Sequence, residues 1–302
     1  MVSIIFSVFF LIRQLPQLIS HLDPHLDHWQ NFIHLPAFAG LLFALRWLFR
    51  DFIARYLDVT VAMAVLSLGA VIEILQPTFG RNGSWLDMSL DIAGVCAGYI
   101  VWRVYNKTLS KSWLLLCLPI VTVGLFQPLS GFYGQWQGER AFPNLLDFDQ
   151  STLTRFVELQ GEAQLSVEQA PTSWPNNQTR VGYLTVTGSP WPGIFLHPPV
   201  ADWRDFDSLN LQVFSLNPDP VTLAVRIDDV HYEKGSGDNF DREYSIAPGL
   251  NELHISLSDV RMAPPERTMD MQEIRMIFLY IPQPEHPLGL YLDNLRLTLP
   301  EH

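Results

Sequence analysis

The hydrophobic pattern of the chain changes once, near residue 134. Ahead of that point, four runs (31–49, 59–76, 86–105 and 112–132) are almost continuously apolar, and each approaches the about 20 helical residues that cross a hydrocarbon layer of ~30 Å. Beyond it, eight short β-rich runs are separated by Pro, Gly, Asn and Asp: 180–186, 193–196, 209–214, 221–227, 243–246, 252–257, 274–281 and 288–297. Alternation is plain in Leu209-Asn-Leu-Gln-Val-Phe and Leu223-Ala-Val-Arg-Ile, the period of a half-buried strand. The pattern predicts two domains: an α-helical transmembrane bundle over 1–134, a linker over 135–144, and an all-β jelly-roll sandwich over 145–302.

A fifth run, from Val2 to Ile12, is only about half as long as a span requires. It extends into a span if Arg13 snorkels, and otherwise lies in the interface. No basic residue precedes it and no small-x-small site follows, which argues against a cleaved signal. Arg46, Arg50 and Arg55 follow the first long run and Arg103, Lys107 and Lys111 the third, whereas the alternate connections hold Arg13 and Arg81. That asymmetry places the first set in the cytoplasm. With four to five spans and a cytoplasmic N-terminus, the second half emerges on the periplasmic or extracellular side of a bacterial inner or cytoplasmic membrane. Trp29, Trp47, Trp85, Trp102 and Trp113 fall at the span edges, where an indole bridges acyl chains and headgroups.

Charge sharpens the division. Residues 1–134 hold 8 Lys+Arg against 7 Asp+Glu, and residues 135–302 hold 11 against 24, so the net charge of −12 belongs to the second half. An acidic domain without a basic patch excludes nucleic acid as a partner. Cys96 and Cys117 both sit in apolar runs, so the β domain must hold without disulfides.

The exported ends of the apolar runs collect polar residues: His34, Glu73 and Gln76, then Arg81, Ser84, Asp87 and Asp91. Ionisable groups within a span are costly and normally face a bundle interior or a wet cavity, which makes these seven the candidate catalytic residues. Helix capping is the competing explanation, because Ser84-x-x-Asp87 has nearly the spacing of a capping box and Arg81 can neutralise Glu73 or Asp87. The order His34, Glu73-x-x-Gln76, Arg81-x-x-Ser84-x-x-Asp87-x-x-x-Asp91-x-x-Gly94-x-x-x-Gly98 resembles the VanZ-like membrane proteins, named for a glycopeptide-antibiotic resistance factor. The family's Asp-Lys pair is Gln30-Asn31 here, and its usual Asn in the fourth span is Asp91. The resemblance implies a cell-envelope role without specifying a reaction.

Gly94-x-x-x-Gly98 admits close helix packing, expected within the bundle ahead of a dimer face. His21, His25, His28 and His34, interleaved with Asp23 and Asp27, match no metal-ligand spacing, and an interfacial loop is the preferred reading.

In the second half, Leu146-Asp-Phe-Asp149, Val225-Arg-Ile-Asp-Asp-Val-His-Tyr232, Asp241-Arg-Glu-Tyr244, Ala263-Pro-Pro-Glu-Arg267-Thr-Met-Asp270 and Leu290-Tyr-Leu-Asp293-Asn-Leu-Arg296-Leu are similar to bacterial jelly rolls of the carbohydrate-binding-module type. They are also similar to the galactose-binding-like domain of complex I intermediate-associated proteins. That resemblance implies a structural Ca²⁺ held by Asp147 or Asp149 with Asp293, carboxylates being suitable ligands. Sugar binding needs planar rings and groups that fork hydroxyls. Trp191, Trp203, Tyr232, Phe240 and Tyr244 are the candidate rings, and Asp228, Asp229, His231, Asp241 and Arg242 the candidate polar groups. The polar stretch 232–242 reads as a loop at one end of the sandwich. For Trp191 and Trp203, burial in the core is the stronger expectation.

No phosphate loop, nucleophile elbow or zinc helix is present, and no carboxylate pair is singled out, which leaves enzyme activity open. The preferred expectation is a bundle in membrane lipid that anchors a module binding an envelope glycan or glycoconjugate. The alternative is a membrane enzyme or transporter acting on a lipid-linked envelope precursor and linked to glycopeptide antibiotic tolerance. A third is an assembly role with envelope protein partners.

Overall fold

The computed structural model describes residues 27–50, 58–75, 85–149, 153–175, 179–188, 190–233 and 237–300. The chain divides into two compact units, Met1–Tyr133 and Gly134–His302.

The first unit is helical. Helices α1 (Asp27–Leu48), α2 (Asp58–Leu75), α3 (Trp85–Tyr105) and α4 (Lys111–Ala141) stand where the four apolar runs predicted them. Among the described residues, only α4 combines the length and composition of a membrane crossing. The other three do not meet that measure, so helix length and composition do not establish a bundle of four to five spans. Helix α2 has 18 residues, α1 opens on a polar turn, and α3 carries Asp87, Asp91 and Arg103. The Gly94/Gly98 stripe packs α3 on α1: a Cβ on Gly94 would lie 2.6 Å from the Leu35 carbonyl oxygen, and one on Gly98 2.5 Å from that of Ala39. Trp102, expected at a span edge, is instead buried among Phe43, Tyr105 and the Arg46 guanidinium, 5.2 Å above its ring.

The segment expected as a linker, 135–144, is helical through Ala141. Gly134 and Gly138 suggest a break, yet both are packing positions in the second unit. A Cβ on Gly138 would lie 2.6 Å from the Phe156 ring and 2.7 Å from Pro199, and Gly134 lies against Arg155.

The second unit is a β-sandwich. Its strands are β1 (Asn144–Leu146), β2 (Val157–Gln160), β3 (Ala163–Gln169), β4 (Arg180–Val186), β5 (Gly193–Leu196), β6 (Ser208–Ser215), β7 (Val221–Asp229), β8 (Phe240–Ile246), β9 (Gly249–Ser256), β10 (Ile274–Tyr280) and β11 (Leu288–Thr298), with a short helix α5 (Leu257–Arg261) after β9. One sheet runs β3-β4-β11-β6-β9, with β1 also on β11, and the other runs β2-β5-β10-β7-β8. All the pairs are antiparallel and nested: β4 with β11, β5 with β10, β6 with β9, and β7 with β8. Nested pairing of this kind wraps one long hairpin into two sheets, which is a jelly roll.

The core lies between the sheets. Leu184, Val186, Leu209, Leu211, Val213, Leu290 and Leu292 enter from one, and Ile194, Leu196, Leu223, Val225, Ile227, Ile277 and Leu279 from the other. Side chains alternate across a strand, so these inward positions fix which residues each sheet turns outward. All eight predicted strands are present; β1, β2 and β3 were not foreseen.

Candidate functional site

The outer face of the β2-β5-β10-β7-β8 sheet follows from the register. Glu158 on β2 stands opposite Phe195 on β5, which pairs with Phe278 on β10, then Arg226 on β7, then Asp241 on β8. One row therefore crosses five strands in the order acid, ring, ring, guanidinium, acid. Phe195 tilts onto Phe278 at 4.2 Å between centroids, and Phe278 stacks on Tyr280 at 4.5 Å and 19°. These rings cover Ala224 in an apolar cluster separate from the core.

The polar groups around the rings are fixed in place. The Tyr280 hydroxyl donates to Asp241 at 3.0 Å from Oδ1 and 3.1 Å from Oδ2. Arg226 donates twice to Asp228, Nε to Oδ1 at 2.8 Å and Nη2 to Oδ2 at 2.7 Å, and its guanidinium lies 4.3 Å from the Tyr232 ring. Asn239 donates to Asp228 Oδ1 at 3.2 Å. Burial pushes the Asp241 carboxyl above its ordinary value, only partly offset by the Tyr280 hydrogen bond. The Tyr280 hydroxyl is raised by burial and by that carboxylate. Phe278 and Tyr280 are buried and Phe195 is half-buried, so what this row presents outward is chiefly its oriented acids and guanidinium, groups able to fork hydroxyls.

Of the residues expected to bind ligand, Asp228, Tyr232 and Asp241 gather on this face. Asp229 points the other way: it is fully buried and accepts paired hydrogen bonds from Arg267 Nη1 and, at 2.7 Å, Nη2, with the amides of Asp270 at 2.8 Å and His231 at 3.2 Å. Despite the opposing effect of burial, Arg267 and the Asp270 amide hold the Asp229 carboxyl below its ordinary value. The exposed His231 ring lies 3.6 Å from Asp270. Phe240 is in the core and Tyr244 packs against it, while Arg242 pairs with Asp259 at 3.1 Å. Trp203 is wholly enclosed, its indole donating to the Val200 carbonyl at 3.1 Å. Trp191 is 57% exposed. Its loop leads into β5 and is pinned to the segment after β10, because the Pro190 and Pro192 carbonyls accept from the amides of Gln283 at 2.8 Å and Ile281 at 3.1 Å.

Phe195, Arg226, Phe278 and Tyr280 were not foreseen. Ile274-Arg-Met-Ile-Phe-Leu-Tyr-Ile281 reads as one largely apolar run, and only the facing strands show that both of its rings, Phe278 and Tyr280, point outward.

The acids expected to hold calcium make other contacts. Asp147 Oδ1 accepts from the Asp149 amide at 3.0 Å, Asp149 Oδ1 from the Arg180 amide at 2.9 Å, and Asp293 Oδ2 from Asn294 at 3.3 Å. Among the described residues, no group of three or more His, Cys, Asp or Glu is placed to hold a metal ion.

In the helical unit, His34 Nδ1 and Asp91 Oδ1 meet at 2.8 Å across α1 and α3. Gly69 on α2 makes room for this carboxylate, since a Cβ there would lie 2.6 Å from Asp91 Oδ2. Asp87, one turn before Asp91, is buried, and among the described residues its Oδ1 has no hydrogen-bond partner. Gln76, Arg81 and Ser84 lie outside the described residues, as do the side chain of Glu73 and residues 21–26 of the histidine-rich segment.

No family model matches the chain, and no curated protein matches it. Among solved structures, an exo-beta-agarase aligns at 15% identity and TM-score 0.42, over 53% of this chain and 26% of its own. The family 11 carbohydrate-binding module of cellulosomal cellulase Lic26A-Cel5E of Clostridium thermocellum aligns at 17% and 0.36, over 48% of this chain and 88% of its own. The family 30 module of cellulosomal cellulase Cel9D-Cel44B of the same organism aligns at 15% and 0.37, over 49% and 92%. This chain thus spans about a quarter of the agarase's length.

Proposed function

We propose that the protein is an envelope component whose helical unit, VanZ-like by its sequence pattern, is embedded in membrane lipid, and whose exported jelly roll, of the carbohydrate-binding-module type, binds a glycan or glycoconjugate. The observation that carries the glycan reading is the row Glu158–Phe195–Phe278–Arg226–Asp241, with Tyr280, Tyr232 and Asp228 beside it on the same outer face. Lipid embedding is supported by an inverted distribution of polarity. Ile74, Leu115, Val123 and Phe126 are each 73–76% exposed, while Asp87 and Asp91 are buried. Water-soluble folds bury apolar side chains and seldom bury acids, whereas lipid-facing bundles turn ionisable groups inward.

The test uses the full chain in detergent micelles against immobilised neutral polysaccharides. Trp191→Ala should weaken capture about 2- to 10-fold, the size of an aromatic contact, and Asp241→Asn about 3- to 10-fold, the size of a hydrogen bond. Unchanged capture by the double variant would remove both this face and the exposed Trp191 of the loop before β5 as the binding site.

A second reading is favoured by the His34–Asp91 pair. A carboxylate on Nδ1 orients an imidazole for proton transfer at Nε2, which suits an enzyme or transporter handling a lipid-linked envelope precursor. Asp91→Asn should then change lipid-linked precursor levels or glycopeptide tolerance in cells while the protein accumulates normally. Unaltered envelope composition and tolerance would exclude it.

A further inference from the structure

The opposite sheet carries a surface that the proposed function leaves unused. Alternation turns Ser208, Asn210 and Gln212 of β6, Glu252 and His254 of β9, and Arg296 and Thr298 of β11 away from the core. They line a groove of about 820 Å³ together with Asp207, Leu299 and Pro300. That volume falls within the about 300–1,000 Å³ of ligand clefts.

The groove's polar groups are ordered by one another. Asn210 Nδ2 donates to Thr298 Oγ1 at 3.0 Å, and Asn210 Oδ1 meets His254 Nδ1 at 2.6 Å. Since the Asn210 oxygen can only accept, His254 carries its proton on Nδ1 when neutral, which leaves Nε2 as an acceptor. Gln212 Nε2 donates to Glu252 at 3.0 Å, while its oxygen accepts from Asn294 at 2.8 Å. Each amide is held at both ends, so little rotamer entropy is left to lose on binding. The next row along these strands is aromatic: Tyr183, Tyr291 and Phe214 stand side by side on β4, β11 and β6. Tyr183 and Tyr291 stack at 4.4 Å, and Trp174 lies over Phe214 at 5.2 Å and 11°.

We infer that this groove is a second binding surface, for a neutral polyhydroxylated chain. Its length along β6 suits a run of sugar units, with the amides, Glu252 and His254 taking hydroxyls and the tyrosine pair taking a ring face. The lining mixes two acids, Asp207 and Glu252, with Arg296 and the neutral amides, which disfavours a highly charged ligand. The inference shares only its ligand class with the function proposed above, because the residues lie on the other sheet.

The experiment uses the full chain in detergent micelles, with beads of agarose, mannan, β-glucan and galactan as probes. Four proteins are compared: wild type, Trp191→Ala/Asp241→Asn, Gln212→Ala/His254→Ala, and all four exchanges together. The groove variant is expected to lose about 3- to 10-fold in capture of at least one polysaccharide per hydrogen bond removed. Residual capture by the Trp191/Asp241 variant should vanish in the fourfold variant. His254→Gln, which keeps a donor for Asn210, should recover more capture than His254→Ala at equal melting temperature, separating contact from folding. Capture unaffected by the groove exchanges but abolished by Trp191→Ala/Asp241→Asn would overturn the second surface and leave the first. Wild type that captures none of the four overturns both.

Discussion

Asp229 and Arg267 offer a direct test of how the end of β7 is held to the segment before β10. Asp229 is fully enclosed and takes two guanidinium hydrogen bonds, whereas Arg267 keeps 26% of its side chain exposed and also donates to Asp238 at 2.7 Å. Removing one partner of a buried ion pair costs about 3–5 kcal/mol, because the survivor's charge is left uncompensated. The two removals should not cost the same. Asp229→Asn leaves an arginine that still has Asp238 and water, which places it near ~3 kcal/mol. Arg267→Ala leaves a carboxylate whose remaining donors are the Asp270 and His231 amides, near ~5 kcal/mol. At about 2–4 °C per kcal/mol for a domain of this size, the melting temperature should fall by roughly 6–12 °C and 10–20 °C.

The assay is thermal melting of the β unit in the full chain by near-ultraviolet circular dichroism. Asp229→Asn/Arg267→Met should melt above Arg267→Ala, since no buried charge remains unpaired. The acid limb checks the same pair. Asp229's folded pKa lies below its ordinary value, so its stabilisation is complete above about pH 4 and is lost as pH falls through the lower folded value. The deficit of Asp229→Asn should therefore persist at pH 5 and shrink only below about pH 4. A loss under about 4 °C for Arg267→Ala, the scale of a surface pair, would refute the reasoning.

Two further outcomes follow from packing. Gly138→Val drives two methyl groups into Phe156 and Pro199, and should lower the melting temperature of the β unit through an overpacking cost of about 1–3 kcal/mol; unchanged melting would show that the end of α4 is not docked there. Trp203→Ala empties a fully buried site and should cost about 3–5 kcal/mol without changing polysaccharide capture per folded molecule, whereas a selective loss of capture would return Trp203 to the binding residues.

The elements were legible where the hydrophobic signal was strong. The four apolar runs are helices and the eight predicted strands are strands, because each buries one face or more. The strands that went unread are the exceptions. β2 and β3 are edge strands, mostly half-buried or exposed, and β1 is three residues long. The helical stretch through Ala141 went unread for a related reason. Gly134 and Gly138 carry the signature of a helix end, but here the missing side chains admit Arg155 and Phe156. Sequence shows that a side chain is absent without showing what fills its place.

The binding residues illustrate the same limit more sharply. Asp228-Asp229 and Asp241-Arg242 look like two compact polar clusters, yet neighbours along a strand must face opposite sides of the sheet. The inward set Leu223, Val225 and Ile227 forces Asp229 toward the core side and leaves Arg226 and Asp228 outward. Phe240 and Ile246 do the same on β8, turning Asp241 outward and Arg242 away. That half of the site was available from parity alone, once the strands were placed. The other half was not. Phe195 and Phe278 join Arg226 through the β5–β10–β7 register, a relation between residues far apart in the chain that no local pattern encodes.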